Sequence, residues 1–301
     1  MRRLSRRKFF GAALTGASAW AFTGCAHAPE GTAPPITQGN TPMKIYMITD
    51  LEGAAMVSRF DQTRDEATPE SKAQAMKLLT AEVNAAVDGI LEAAPVAEVI
   101  VWDGHGNGGI DVMEFHPKAK LIARGPIKPP YFLDNTFDAV FFIGQHAMAG
   151  TKDAPLAHTY SSKTVEYYKL NGQVVGEFGA RAYMAGSFGV PVVFISGDDK
   201  AVAEAKTFVP NIFGAVVKQG LGLELALHLS PNAAQELIRK TAAEAIRNMH
   251  SVKPITLDPP CEQEIRLKEG MSIEHYLRSG AKKIDARTVV FKSNTICDLH
   301  I

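Results

Sequence analysis

Cysteine is scarce: three residues in 301, at positions 25, 261 and 297. That is too few for a disulfide framework, and with Cys25 set aside, Cys261 and Cys297 leave open one bond or two free thiols. Net charge is absent too, with 32 basic residues against 32 acidic, and there is no block of like charge and no internal repeat. A chain without a basic stripe lacks the electrostatic footprint of a nucleic-acid binder, so no nucleic-acid partner is expected. The glycine-rich stretch Gly104–Gly109 is not followed promptly by a helix start, which argues against a dinucleotide or phosphate cradle. Long apolar runs are missing as well: the one near the N-terminus, ending at Phe22, is too short and too rich in Gly, Ala and Ser for a comfortable membrane span.

What remains is an ordinary globular composition, 46% hydrophobic and 8% aromatic, enough for a full core. All five cations of the first 25 residues (Arg2, Arg3, Arg6, Arg7 and Lys8) precede the apolar run, and no acid accompanies them. Together with Phe22-Thr23-Gly24-Cys25, the Ser5-Arg6-Arg7-Lys8-Phe9-Phe10 stretch resembles a twin-arginine export signal with a lipobox, Cys25 being the lipid-carrying residue. Its expected location is therefore the periplasm or a membrane-anchored lipoprotein, since two acyl chains suffice for stable attachment. Phe22 departs from the aliphatic residue usual in a lipobox, so plain cleavage nearby or an uncleaved anchor stays open. Removing the segment leaves 27 basic against 32 acidic residues, a net charge of −5. Residues 26–42, rich in Pro, Gly and Thr, read as a flexible tether.

From Met43 the pattern becomes that of an α/β protein. Continuous apolar runs at 43–49, 98–102, 138–144 and 192–196 suit strands buried on both faces. Between the first two, Thr68-Pro69-Glu70 opens a helix whose Met76, Leu79, Val83, Val87 and Ile90 form one stripe and which Pro95 ends. Val165–Leu170, Asn171-Gly172 and Gln173–Val175 spell a hairpin with a type I′ turn, and Ser230-Pro231 opens a last helix to about Met249. The expected fold is a mostly parallel sheet with helices on both faces over 43–230, followed by a smaller C-terminal α+β region over 231–301.

The apolar runs end in metal-ligand chemistry. Asp50 and Glu52 flank Leu51 after the first strand, Asp103-Gly104-His105 follows the second, His146 the third, and Glu177 comes after the hairpin. Taken singly, each has a bland reading. Asp50 can cap a turn, Glu52 can be solvated, His146 can be a core residue, and Glu177 can answer a helix dipole. Parallel strands, however, bring their carboxyl ends to one edge, so groups about fifty residues apart can meet there. Five ligands exceed one tetrahedral zinc, and two ions sharing a carboxylate would use them all, with zinc or a neighbouring divalent metal suiting the mixed nitrogen and oxygen set. Asp103 can orient His105 or cap its turn, His158 can serve as base or lie at the surface, and Lys218, at an apparent strand end, can bind a carboxylate, stabilise an oxyanion or be solvated.

Asp50-Leu51-Glu52-Gly53, Asp103-Gly104-His105, Gly144-Gln145-His146-Ala147, His158-Thr159-Tyr160-Ser161, Val175-Gly176-Glu177 and Val217-Lys218 together resemble the D-aminopeptidase family of dizinc metallopeptidases. The resemblance implies hydrolysis of short peptides from a free amino end, including D-Ala ends. It implies two zinc ions, with Asp50 bridging and Glu52, His105, His146 and Glu177 completing the sites. It further implies a catalytic His158 and a ring-shaped homo-oligomer. A dinuclear phosphoesterase is the second enzymatic reading, with no arginine cluster to support it. A non-catalytic metal- or peptide-binding lipoprotein is the third.

Overall fold

The computed structural model describes residues 42–301 except 65–67, 124 and 126. The export signal, Cys25 and all of the tether but its last residue lie outside the described residues. Among those described, no helix is long and apolar enough to cross a membrane.

Strand β1 (Lys44–Thr49) leads through helix α1 (Pro69–Ala93) to β2 (Glu98–Asp103), and β3 (Ala119–Ile122) and β4 (Ala139–Gln145) follow. The hairpin β5 (Val165–Leu170) and β6 (Gln173–Val175) precedes α2 (Glu177–Ser187), β7 (Val192–Asp198), α3 (Asp199–Phe208), β8 (Phe213–Gly222) and β9 (Leu225–His228). Helix α4 (Pro231–Asn248), β10 (Cys261–Leu267), the short α5 (Glu274–Arg278), β11 (Lys282–Lys283) and β12 (Thr288–Ser293) complete the chain. The larger sheet has the order β3-β2-β1-β4-β7-β8-β9 and is parallel except for β9. The smaller, β11-β12-β10-β5-β6, is antiparallel throughout.

Local chemistry sets these elements. Thr68 caps α1 by accepting the Ser71 N–H, with Pro69 in the first turn, and Ser230 caps α4 by accepting from Ala233. Of the expected stripe of α1, Leu79, Val83, Val87 and Ile90 are buried and Met76 is half-buried, and the helix packs against α4 and β4. At the β5–β6 turn, Asn171 and Gly172 both take positive φ, as a type I′ turn requires. Strands β4 and β7 are buried along their whole length, and Phe141 stacks on Phe194 between them. Each such side chain contributes about 1.5–3 kcal/mol of burial.

One reading is corrected by this arrangement. Lys218 does not end its strand: β8 runs on to Gly222, and Lys218 lies in its middle, opposite Asp198 of β7. Across residue 230, β10 pairs with β5 and α4 packs on α1.

Candidate metal centre

From β1 the chain crosses through α1 to β2 on one side, and from β4 it proceeds to β7 on the other. The strand order thus switches between β1 and β4, where ligands of open α/β sheets bind beyond the carboxyl ends. Asp50 directly follows β1, His105 lies two residues beyond β2, His146 directly follows β4, and Glu177 is the first residue of α2. Two glycines let the β1 and β4 loops touch. The Gly53 N–H donates to Gly144 O at 2.7 Å, and a Cβ on Gly53 or Gly144 would sit 2.2 or 2.1 Å from the backbone oxygen of Gln145 or Asp50. Gly144 also needs φ +75°, which an L side chain resists.

This crossing brings Asp50 Oδ2 to 3.3 Å from His146 Nε2, with Glu177 Oε1 at 3.4 Å from the same nitrogen. Glu52 Oε1 lies 3.3 Å from His105 Nε2, and His158 Nε2 lies 3.9 Å from Glu177 Oε1. Ligand atoms of Asp50, Glu52 and His146 fall within 4.8 Å of one another, as do those of His146, His158 and Glu177. His105 belongs to neither trio. It reaches the cluster through Glu52, while its Nδ1 faces Lys72 Nζ at 3.5 Å. Asp103 uses Oδ1 to accept the Gly109 N–H at 2.9 Å, closing the loop that carries His105.

These residues fit a metal. Asp50 Oδ2, Glu52 Oε2 and His146 Nε2 are buried and make no hydrogen bond, although oxygen and nitrogen converge. His146 Nδ1 lies 2.9 Å from Ala147 O and His158 Nδ1 2.7 Å from Leu156 O. Both contacts are to backbone oxygens, so each Nδ1 carries the proton and each Nε2 presents its lone pair to the cluster. A ring nitrogen with one lone pair serves one ion. Asp50 Oδ2, buried and without a hydrogen bond, is open to a cation as well.

The charges make the same demand. Burial, then the neighbouring Glu52, pushes the Asp50 carboxyl up. Burial opposes charge on Glu52 and Glu177 as well, but His105 beside the first and Arg181 beside the second hold them below the usual carboxylate range. His105 is pushed up to about 9, because Glu52 and Asp50 outweigh its desolvation. His146 is raised likewise by Asp50 and Glu177 against its burial. Three buried carboxylates thus require positive charge, from protons on these rings or from a divalent cation that displaces them. His158 differs: burial and the His146 ring stacked on it at 4.0 Å both lower it, keeping it neutral.

Around this centre, buried groups fix the loops. Lys218 is neither solvated nor turned to a substrate. Its ammonium donates to the carbonyls of Glu52, Ala54 and Val57, and burial lowers it to about 8. Glu82 accepts the Ala55 N–H and Glu204 the Met148 N–H, each at 2.7 Å, and burial pushes both carboxyls up to about 7. Three carbonyls left without Lys218 would each cost about 1–3 kcal/mol, so this side chain helps to hold the segment that carries Glu52.

The centre opens into a cavity of about 390 Å³ lined by Asp50, Glu52, His105, His158 and Glu177. Tyr160 and Arg181 also line it and were not singled out in the sequence. Arg181 Nη1 lies 3.2 Å from Glu177 Oε2, one helical turn along α2, and its guanidinium lies near the rings of Trp102 and Tyr160. The Tyr160 N–H donates to Glu177 Oε1 at 2.8 Å, while its buried hydroxyl has no partner. The i,i+4 spacing of Glu177 and Arg181 was a readable signal. Tyr160 offered only its place two residues after His158.

Carboxylates and imidazoles gathered at the switch point of a parallel sheet, beside an open cavity, define a metal-dependent hydrolase. The chain belongs to the D-aminopeptidase family, peptidase M55, whose model matches residues 43–300. It is 34% identical over 222 residues to a D-aminopeptidase of Bacillus subtilis strain 168, covering 72% of this chain and 78% of that protein. Among solved structures it is similar to the Zn-dependent D-aminopeptidase DppA from Bacillus subtilis, described as a self-compartmentalizing protease. The TM-score is 0.79 at 31% identity, covering 85% of this chain and 93% of the other.

Proposed function

We propose that this protein is a zinc-dependent aminopeptidase that hydrolyses short peptides, including those with D-Ala at the amino end. The observation that carries the reading is the trio of buried, unbonded ligand atoms on Asp50, Glu52 and His146. In this reading Asp50, Glu52, His105, His146 and Glu177 would hold two zinc ions. Bound zinc supplies Lewis-acid polarisation of the scissile carbonyl and a water of lowered pKa. His158, neutral and with its Nε2 lone pair toward Glu177, takes the proton of the attacking water and returns it to the leaving amine. Tyr160, whose pKa burial raises well above 10, stays protonated and donates its unpartnered hydroxyl to the carbonyl oxygen as charge develops there. Arg181 keeps Glu177 ionised.

The test is zinc per chain together with turnover of D-Ala and L-Ala p-nitroanilides. About two zinc ions and chelator-sensitive hydrolysis are expected, and protein that binds no zinc would end the proposal. L-specific turnover alone would remove the D-peptide part and leave the peptidase.

Self-association fits the same reading. Leu221, Leu223, Leu225, Leu227 and Leu229 alternate along the β8–β9 hairpin and are all exposed, at the open edge of the larger sheet. A row of leucines on an edge strand is an association surface. In the homo-oligomer we propose, ring-shaped in keeping with the family resemblance, this face seats another copy of the chain. The double variant Leu225→Glu, Leu227→Glu is expected to sediment as monomer, and unchanged assembly would move the interface elsewhere.

For location, the sequence features of residues 1–25 support twin-arginine export and a lipid on Cys25, which would place the enzyme beside D-Ala-containing fragments of peptidoglycan. Labelled palmitate should enter the wild type and not Cys25→Ser. Equal labelling would exclude Cys25 as the anchor.

A further inference from the structure

We infer that Arg64 forms a carboxylate-binding subsite in the wall of the metal cavity, which reads the free C-terminal carboxylate of peptides two or three residues long. This rests on the aminopeptidase reading and adds an end-group and a length requirement to it. Arg64 lines the same cavity as Asp50, Glu52 and His158. Its guanidinium carbon lies 3.8 Å above the Phe60 ring, so the flat face is covered and the donor edge stays available. Nη2 donates to Ser162 Oγ at 3.1 Å, whereas Nε is buried with no partner. Among the described residues no carboxylate pairs with Arg64. A half-buried guanidinium whose Nε has no partner among the described residues suits an anion, and a carboxylate matches its fork.

One neighbour extends the subsite: Thr63, whose Oγ1 has no partner among the described residues, also lines the cavity. The cavity wall thus carries Arg64 as well as the acids of the metal centre, a combination complementary to a small peptide bearing both termini.

Phe60 also sets the length. Its ring lies 6.4 Å from the His158 ring, so the Arg64 guanidinium is within about 10 Å of the histidine that faces the scissile bond. An extended chain advances about 3.3–3.6 Å per residue, which limits the leaving portion to one or two residues. The segment holding Phe60 is itself fixed: the Phe60 N–H donates to Glu224 Oε1 at 2.9 Å, and Gln62 Oε1 accepts the Ser58 and Arg59 N–H groups.

The test compares Ala-Ala with its C-terminal amide, each as D,D and L,L, on the zinc-loaded full chain. Wild type is expected to prefer the free acid. Arg64→Gln should lower kcat/KM for the acid by about 10- to 100-fold, chiefly through KM, and for the amide by less than about threefold, at unchanged zinc content. Arg64→Lys should recover part of the acid preference, keeping the charge without the fork. Equal losses on acid and amide, a wild type indifferent to amidation, or loss of zinc in Arg64→Gln would each overturn the subsite. If wild type cleaves neither dipeptide, amide nor p-nitroanilide, the aminopeptidase reading itself falls and takes the subsite with it.

Discussion

Replacement of Asp50 by Asn is expected to reduce turnover by about a thousandfold or more and to lower zinc content, while stabilising the metal-free protein. The first two effects follow from position. Asp50 sends Oδ1 to the Leu51 N–H at 2.9 Å and leaves Oδ2 buried and unbonded, 3.3 Å from His146 Nε2. Asn keeps the shape and the Leu51 contact but removes the charge that a metal ligand needs. Losing several kcal/mol of charge stabilisation at about 1.4 kcal/mol per decade gives the stated factor. The third effect has the opposite sign. Burial and the Glu52 charge already disfavour ionised Asp50, so a neutral side chain relieves repulsion when no cation is present. Zinc adds stability in proportion to its affinity, and the variant loses that addition. Thermal unfolding with chelator should therefore show Asp50→Asn melting above wild type, and with zinc below it. A variant that keeps full zinc and full activity would remove Asp50 from the site.

Much of this centre was legible because Asp50, Glu52, His105 and His146 follow strands written as apolar runs. Met47-Ile48-Thr49 before Asp50 and Phe141-Phe142-Ile143 before His146 mark strand ends without any alignment, and parallel topology does the rest. What supports the ligands was not legible, since it depends on contacts across more than a hundred residues. Lys218 reads as a strand-end cation, yet 166 residues separate it from the Glu52 carbonyl it holds. Arg64 stands in a polar stretch with nothing to distinguish it until Phe60 folds beneath its guanidinium. Strand β3 escaped because Ala119–Ile122 is short and only half-buried, at the sheet's edge. The β5–β6 hairpin was legible, but its pairing with β10 was not, because that partner lies some ninety-five residues on and local periodicity carries no record of such a pairing.

His158→Ala is expected to retain zinc and lose about 10²- to 10⁴-fold in kcat with little change in KM. The geometry leaves His158 two employments, proton carrier or metal ligand, because its Nε2 falls within 4.8 Å of ligand atoms on both His146 and Glu177. Three features favour the first. His158 is stacked face to face on His146 at 4.0 Å with a 9° interplanar angle, so the two ring planes are nearly parallel and cannot both aim Nε2 at one point between them. Its Nε2 stands 3.9 Å from Glu177, farther than His146 stands from either carboxylate. Its side chain lines the open cavity, where a substrate's leaving nitrogen can reach it, whereas His146 is enclosed beneath. A proton carrier does its work in the transition state, so its loss lowers kcat at constant zinc and near-constant KM. A ligand, by contrast, takes zinc with it when removed. Metal analysis of His158→Ala therefore decides the role directly, and zinc falling by one ion per chain would reassign His158 to the metal and leave the proton to another group in the cavity.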